Sequence, residues 1–138
     1  MRRKLIGIGV LGVGILLLAA YLFLRPHDKG DPIAISRDFI VALWNGDEAR
    51  VKELTCDDDL FRQTVLRQTR EADTTVTVDT SGLTFTIQTE TDDRLVMLMG
   101  GTVVFTSQQG EQIVRDLDEQ PTWFTLHDEG GWKICAIQ

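Results

Sequence analysis

Two histidines, two cysteines, three tryptophans and several close carboxylates are the groups in this 138-residue chain with types suited to chemistry. His127 is the candidate general base, a role that needs a carboxylate within hydrogen-bond reach and a concave pocket. Its neighbour is Asp128, but adjacent strand residues project to opposite faces. The spacing therefore predicts an exposed strand end. His27 falls in a short linker and implies no chemistry. Asp116 and Asp118 are two apart, so they share a strand face, where two carboxylates in one site drive one pKa upward. A solvated strand edge is the better explanation, and no acid is assigned there. Asp57, Asp58 and Asp59 lack the D-x-D-x-D-G spacing of a cation loop and suit the positive end of a helix. Ser36 and Ser81 have no adjacent base, which leaves nucleophilic catalysis without support. No catalytic group, metal site or cofactor follows, and the reading is that of a non-enzyme.

Binding has better candidates. Trp44, Trp123 and Trp132 are the largest apolar groups. With Trp44 closing a helix and Trp132 opening a strand, they are expected to line one mouth of a pocket or to fill the core. Leu95, Met97 and Met99 share one face of a strand whose other face carries Val96 and Leu98. A strand apolar on both sides implies cover on both sides. Helices supply one cover, and an unknown protein partner or a second copy is expected to meet Leu95, Met97 and Met99.

The elements that position these groups begin with an address. Residues 5–24 contain no charge, Asn, Gln or Pro. At about 1.5 Å per residue they reach roughly 30 Å, the thickness of a bilayer's hydrocarbon core. The run exceeds the apolar core of a signal peptide, about 7–15 residues, so it is read as an uncleaved anchor in the lipid bilayer. Arg2, Arg3 and Lys4 outweigh Arg25 and Lys29, placing the N-terminus in the cytoplasm and the C-terminal domain outside. From Gly30 onward, nine Lys/Arg face 20 Asp/Glu, a net charge of −11. Such a surface repels nucleic acid and anionic lipid.

Asp31 and Pro32 read as N-cap and first residue of a helix. Ile35, Phe39, Ala42 and Leu43 follow at helical spacing, and Asn45 and Gly46 stop it. Asp47 caps a short helix to about Leu54. The run 57–59 opens a third to about Arg70, with Leu60, Phe61, Val65 and Leu66 inward. Beyond Glu71 the period becomes two. Strands are expected over 84–89, 95–105, 113–127 with a break near 118–121, and 132–137. A turn between Asp92 and Asp93 sets Ile87 opposite Leu98 and Thr89 opposite Val96. Phe85 and Ile87 then share a buried face with Val96 and Leu98. A turn near Gln109 sets Gly100 opposite Asp118, so both strands bend together. Three helices followed by about four strands predict an α+β domain with helices on one face of a curved antiparallel sheet.

Phe39, Ala42, Leu43, Asn45, Gly46 and Asp47 in the opening hairpin, Leu54 after it, and the closing Gly130-Gly131-Trp132-Lys133-Ile134-Cys135 resemble the nuclear-transport-factor-two-like, or cystatin-like, superfamily. The likeness is to its small bacterial lumazine-binding-like members and covers residues 31–138. It implies a cystatin-like cone of sheet around a helix. It leaves function open, since the superfamily holds ketosteroid-isomerase-like enzymes and non-catalytic assembly modules. The chain is thus divided into a cytoplasmic tip and transmembrane anchor, residues 1–25, a linker, 26–30, and a cystatin-like domain, 31–138. In a helix-against-sheet cone, Cys56 and Cys135 come close enough for a disulfide, which the expected oxidising compartment permits. Two buried reduced thiols are the alternative. The expected role is an extracytoplasmic binding or assembly domain, and the alternative a cone-pocket enzyme or small-ligand carrier.

Overall fold

The structure, a computed structural model, describes residues 19–21 and 28–138. The expected span, residues 5–24, lies outside the described residues apart from Ala19, Ala20 and Tyr21, which are helical. Among the described residues, no helix is long and apolar enough to cross a membrane.

Within residues 28–138 three helices come first, each begun by an aspartate. In α1, Pro32–Trp44, the Asp31 carboxylate accepts from the Ile33 N–H at 2.9 Å, and Pro32 occupies a position whose N–H has no helical partner. The Asn45 N–H closes the helix on the Val41 carbonyl at 3.0 Å. Asp47 caps α2, Glu48–Leu54, through the Arg50 N–H. Asp58 caps α3, Asp59–Arg70, through the Phe61 N–H. The acidic run is therefore a helix start. Val65 and Thr69 form the buried stripe of α3. Leu60, expected inward, is 80% exposed. It lies five residues from Val65, about 140° around the helix. Thr69, one turn beyond Val65, takes the inward place and returns its hydroxyl to the Val65 carbonyl at 2.8 Å.

Six antiparallel strands follow: β1 Thr77–Asp79, β2 Leu83–Glu90, β3 Arg94–Thr106, β4 Gln112–Asp116, β5 Thr122–Asp128 and β6 Trp132–Ile137. The 13-residue β3 is the spine. Its first half runs between β2 and β5, its second between β1 and β4, and β6 pairs with β5. Both flanking strands break where β3 carries Gly100 and Gly101. Asp118 accepts the Gly101 N–H at 2.7 Å. A Cβ on Gly100 would sit 2.4 Å from the same carboxylate oxygen. Gly101 has a φ of +80°, and its added Cβ would meet the Gly82 carbonyl oxygen at 2.2 Å. The bend expected at Gly100 and Asp118 is thus built from close backbone approach and one side-chain acceptor.

One register differs from expectation. Thr89 lies opposite Val96, but Ile87 lies opposite Met97 and Phe85 opposite Met99, with the register shift falling between Ile87 and Thr89. Gln88 is the extra residue, and one extra residue moves all that precedes it to the other face. Phe85 consequently joins the core side with Leu95, Met97 and Met99 rather than Val96 and Leu98. This corrects the expected interface. Leu95, Met97 and Met99 are all buried, in one cluster with Phe39, Val51, Leu54 and Val65 of the helices and Phe124, Leu126 and Ile134 of the sheet. Phe39 and Phe124 meet edge to face at 6.3 Å. The face without a helical layer belongs to Val96 and Leu98, where Leu98 pairs with Trp123.

Candidate functional site

The three tryptophans do not converge. Trp44 ends α1. Trp132 is buried, and its N–H bonds the Lys29 carbonyl at 3.0 Å, just before the helix begins. A 13-residue helix, about 20 Å long, separates the two. Trp123 projects from the other face of the sheet, 41% exposed. Among the described residues, Trp44 is the tryptophan that borders the cleft described next. The expectation of a shared mouth fails because Trp44 ends α1 while Trp132 is held beside Lys29, at the other end of that helix.

Trp44 stands over the second half of β3, its ring 5.5 Å from that of Phe105 in an edge-to-face contact. Beneath it the inward side chains of the β3–β4 hairpin form a cleft of about 460 Å³, lined by Val103, Phe105, Ile113, Leu117 and Val76, with Ser107, Glu111 and Arg115 as its polar groups. The pairing explains the lining. Val103 opposes Arg115 and Phe105 opposes Ile113, and directly opposed residues project to the same side. Helices α1 and α2 contact β6. Over β4 the cleft is open, and Ile113 is 62% exposed.

The other candidates lie elsewhere. His127 is exposed on the outward face, in a cross-strand row with Arg94 and Lys133. Asp116 accepts the Asp118 N–H at 2.9 Å, and Asp118 accepts that of Gly101, so both carboxylates shape the bend. Ser36 is buried on α1 and its hydroxyl meets no partner among the described residues. Asp79 accepts the Ser81 N–H at 2.9 Å. The Ser81 hydroxyl and N–H hold the Asp79 carboxyl below the usual carboxylate range, and the Thr75 hydroxyl and N–H do the same at Asp73. Hydrogen bonds to Asp38, then Glu53, raise the Arg50 guanidinium above its usual value. These displacements come from turns and a surface ion-pair network, the ordinary structural source of such shifts.

Cys56 and Cys135 face each other at disulfide distance, their Cα atoms 5.2 Å apart, inside the range of about 4.4–6.8 Å that a bridge demands. The Cys56 N–H bonds the Ile134 carbonyl at 2.9 Å, and Thr55 forms a bridge with Ile134. The helical hairpin and the last strand are therefore adjacent, as the cone implies. Glu129 brings a third potential ligand atom within 4.8 Å of the two sulfurs. Its carboxylate already accepts the Asp57 N–H at 3.0 Å, and three groups are one short of a closed structural zinc set.

No protein-family model and no curated protein sequence matches this chain. Solved structures do. The association domain of C. elegans CaMKII superposes with a TM-score of 0.53 at 12% identity, covering 76% of this chain and 88% of that one. A SEC-C motif containing protein from Rhodopseudomonas palustris matches with a TM-score of 0.50 at 15% identity, covering 86% of each chain. The helical cell shape determining protein of Campylobacter jejuni matches with a TM-score of 0.50 at 11% identity over 76% of this chain, which spans only 38% of that protein. The fold is nuclear-transport-factor-two-like. At these identities the likeness is one of fold alone, and the site must carry the function.

Proposed function

We propose that this chain is a membrane-anchored, extracytoplasmic, non-catalytic domain that binds apolar side chains of a protein partner in the cleft under Trp44. The cleft is the observation that carries the reading. Its walls are Trp44, Val103, Phe105, Ile113 and Leu117, and its two charges, Glu111 and Arg115, are exposed at the rim. Opposite charges at an apolar mouth suit orientation of a bound group. The anchor rests on residues 5–24, and the outward orientation on the Lys/Arg bias. Cysteines at disulfide distance accord with an oxidising compartment. One structural neighbour is named an association domain, which accords with assembly. A small-ligand carrier is the second reading, because about 460 Å³ also falls within the range of small-molecule pockets, roughly 300–1,000 Å³.

Incorporating 5-fluorotryptophan into the full chain in lipid nanodiscs gives one fluorine probe at each of Trp44, Trp123 and Trp132. Titration with N-acetyl-leucinamide, a water-soluble apolar side chain with capped ends, is expected to shift the Trp44 resonance alone. Ile113→Asp, which places a charge on the cleft wall, should abolish that shift. An unmoved Trp44 signal, or a larger shift at Trp123, would refute the cleft as the binding surface.

A further inference from the structure

Among the described residues one edge of β4 has no strand partner, and that edge forms the open wall of the cleft. The Ser107 N–H bonds the Glu111 carbonyl at 2.9 Å and the Leu117 N–H bonds the Gly101 carbonyl at 2.8 Å. Those two bonds bracket the β3–β4 ladder. In an antiparallel pair the bonded residues alternate, so Glu111, Ile113, Arg115 and Leu117 turn their backbone groups toward β3. Gln112, Val114 and Asp116 turn theirs away. On that side β6 covers β5, with its pairing ending at Trp123 and Gln138. No strand among those described covers β4. Five residues of edge, roughly 17 Å, therefore present N–H and C=O groups outward. Val114 is 64% exposed.

We propose that β4 accepts an extended polypeptide segment as an added strand, with alternate apolar side chains of that segment entering the cleft and lysines or arginines on its other positions. The proposal rests on the cleft reading above and names the class of partner. Backbone pairing supplies affinity in such additions, and pockets for every second side chain supply selectivity. A segment laid along β4 directs every second side chain to the face of Ile113 and Arg115, which is the cleft face. The charge is set by the surroundings. Residues 111–119 carry four acids, Glu111, Asp116, Asp118 and Glu119, against Arg115 alone. A second copy paired through the same edge would bring two such acidic strips together, whereas a cationic segment is drawn in.

Val114→Pro tests the edge. The Val114 N–H faces away from β3, and proline is tolerated in an edge strand at such a position, so the fold is expected to survive. The probe is a capped heptapeptide of alternating lysine and valine, added to the full chain in nanodiscs. Expected are binding to the parent chain, slowed exchange of the Gln112, Val114 and Asp116 amides but not those of Ile113 and Arg115, and at least about a tenfold loss of affinity in Val114→Pro, the scale of one or two lost hydrogen bonds. The same peptide N-methylated at alternate amides should bind as poorly, while N-acetyl-leucinamide still shifts Trp44 in Val114→Pro. Equal peptide binding by parent and Val114→Pro overturns the strand pairing and leaves the cleft reading standing. So does leucinamide binding without any peptide binding. Loss of both signals in the parent chain overturns both readings. A dimer that Val114→Pro dissolves assigns the edge to a second copy and overturns the polypeptide partner.

Discussion

Met97 packs beneath the helices and Leu98 beside Trp123, so truncating each to alanine reports which face of β3 is the inside. Met97→Ala leaves a cavity in the core and is expected to cost about 2–5 kcal/mol. Leu98→Ala, on the half-exposed face, should cost about 1 kcal/mol or less. Denaturant midpoints at constant slope measure both, and equal shifts would place the helices wrongly. The sequence makes the two faces look alike, because residues 95–99 are apolar at every position. What separates them is Gln88, whose bulge returns Phe85 to the side of Met99. A polar residue between Ile87 and Thr89 fits a regular alternating strand as well as a bulge, so nothing local betrays it. The cysteine pair was legible because Cys135 lies in the closing strand and Cys56 just after the helical hairpin that the strand supports.

Where two elements must bend together, a glycine does what no other residue can. Gly101→Ala forces a side chain onto a φ of +80° and against the Gly82 carbonyl oxygen. The left-handed conformation alone costs about 1–2 kcal/mol, and a backbone oxygen has no rotamer by which to retreat. Gly100→Ala meets only the Asp118 carboxylate, the end of a side chain. Thermal unfolding is therefore expected to rank Gly101→Ala below Gly100→Ala, and the reverse order would mean that the Asp118 contact, not the backbone, sets the bend. Helix starts, the turn at Gln109 and the limits of β6 were legible, since each is fixed by residues next to it. β1 was not. It is only three residues long, nothing in the Thr/Val alternation of residues 75–78 marks where pairing starts, and the following break is held by Arg37 of α1, which donates to the carbonyls of Thr80 at 2.9 Å and Leu83 at 3.0 Å. The cleft was missed for the same reason. Apart from Trp44, its lining comes from the loop after α3 and both strands of a hairpin. The available signal was the turn at Gln109, which already sets Ile113 opposite Phe105.

For the molecule as a whole, the proposed anchor and the cysteines make one joint prediction. Mass spectrometry of the full chain without reductant should count no free thiol, and a tag after Gln138 should be reached by protease only from outside the membrane. Two free thiols, or a tag reached from the cytoplasm, would remove the extracytoplasmic placement. Reduction should then destabilise the domain by up to about 4–5 kcal/mol, the chain-entropy figure for a loop of this length, with the two cysteines 79 positions apart. The fold class could be read ahead of the structure, because runs of helical and then alternating residues leave few layer arrangements open.

The position of β6 has a consequence for the order of events during synthesis. It is the last of the described elements to leave the ribosome, yet it supplies Trp132 and Ile134 to the interior and lies between β5 and the helical hairpin. Until it emerges, the helices and the earlier strands lack a wall, and Cys56 lacks its mate. At about 5–20 residues per second, the 79 positions between the two cysteines correspond to roughly 4–16 s. During that interval Cys56 has no cysteine at disulfide distance, and only the arrival of Cys135 brings the pair together.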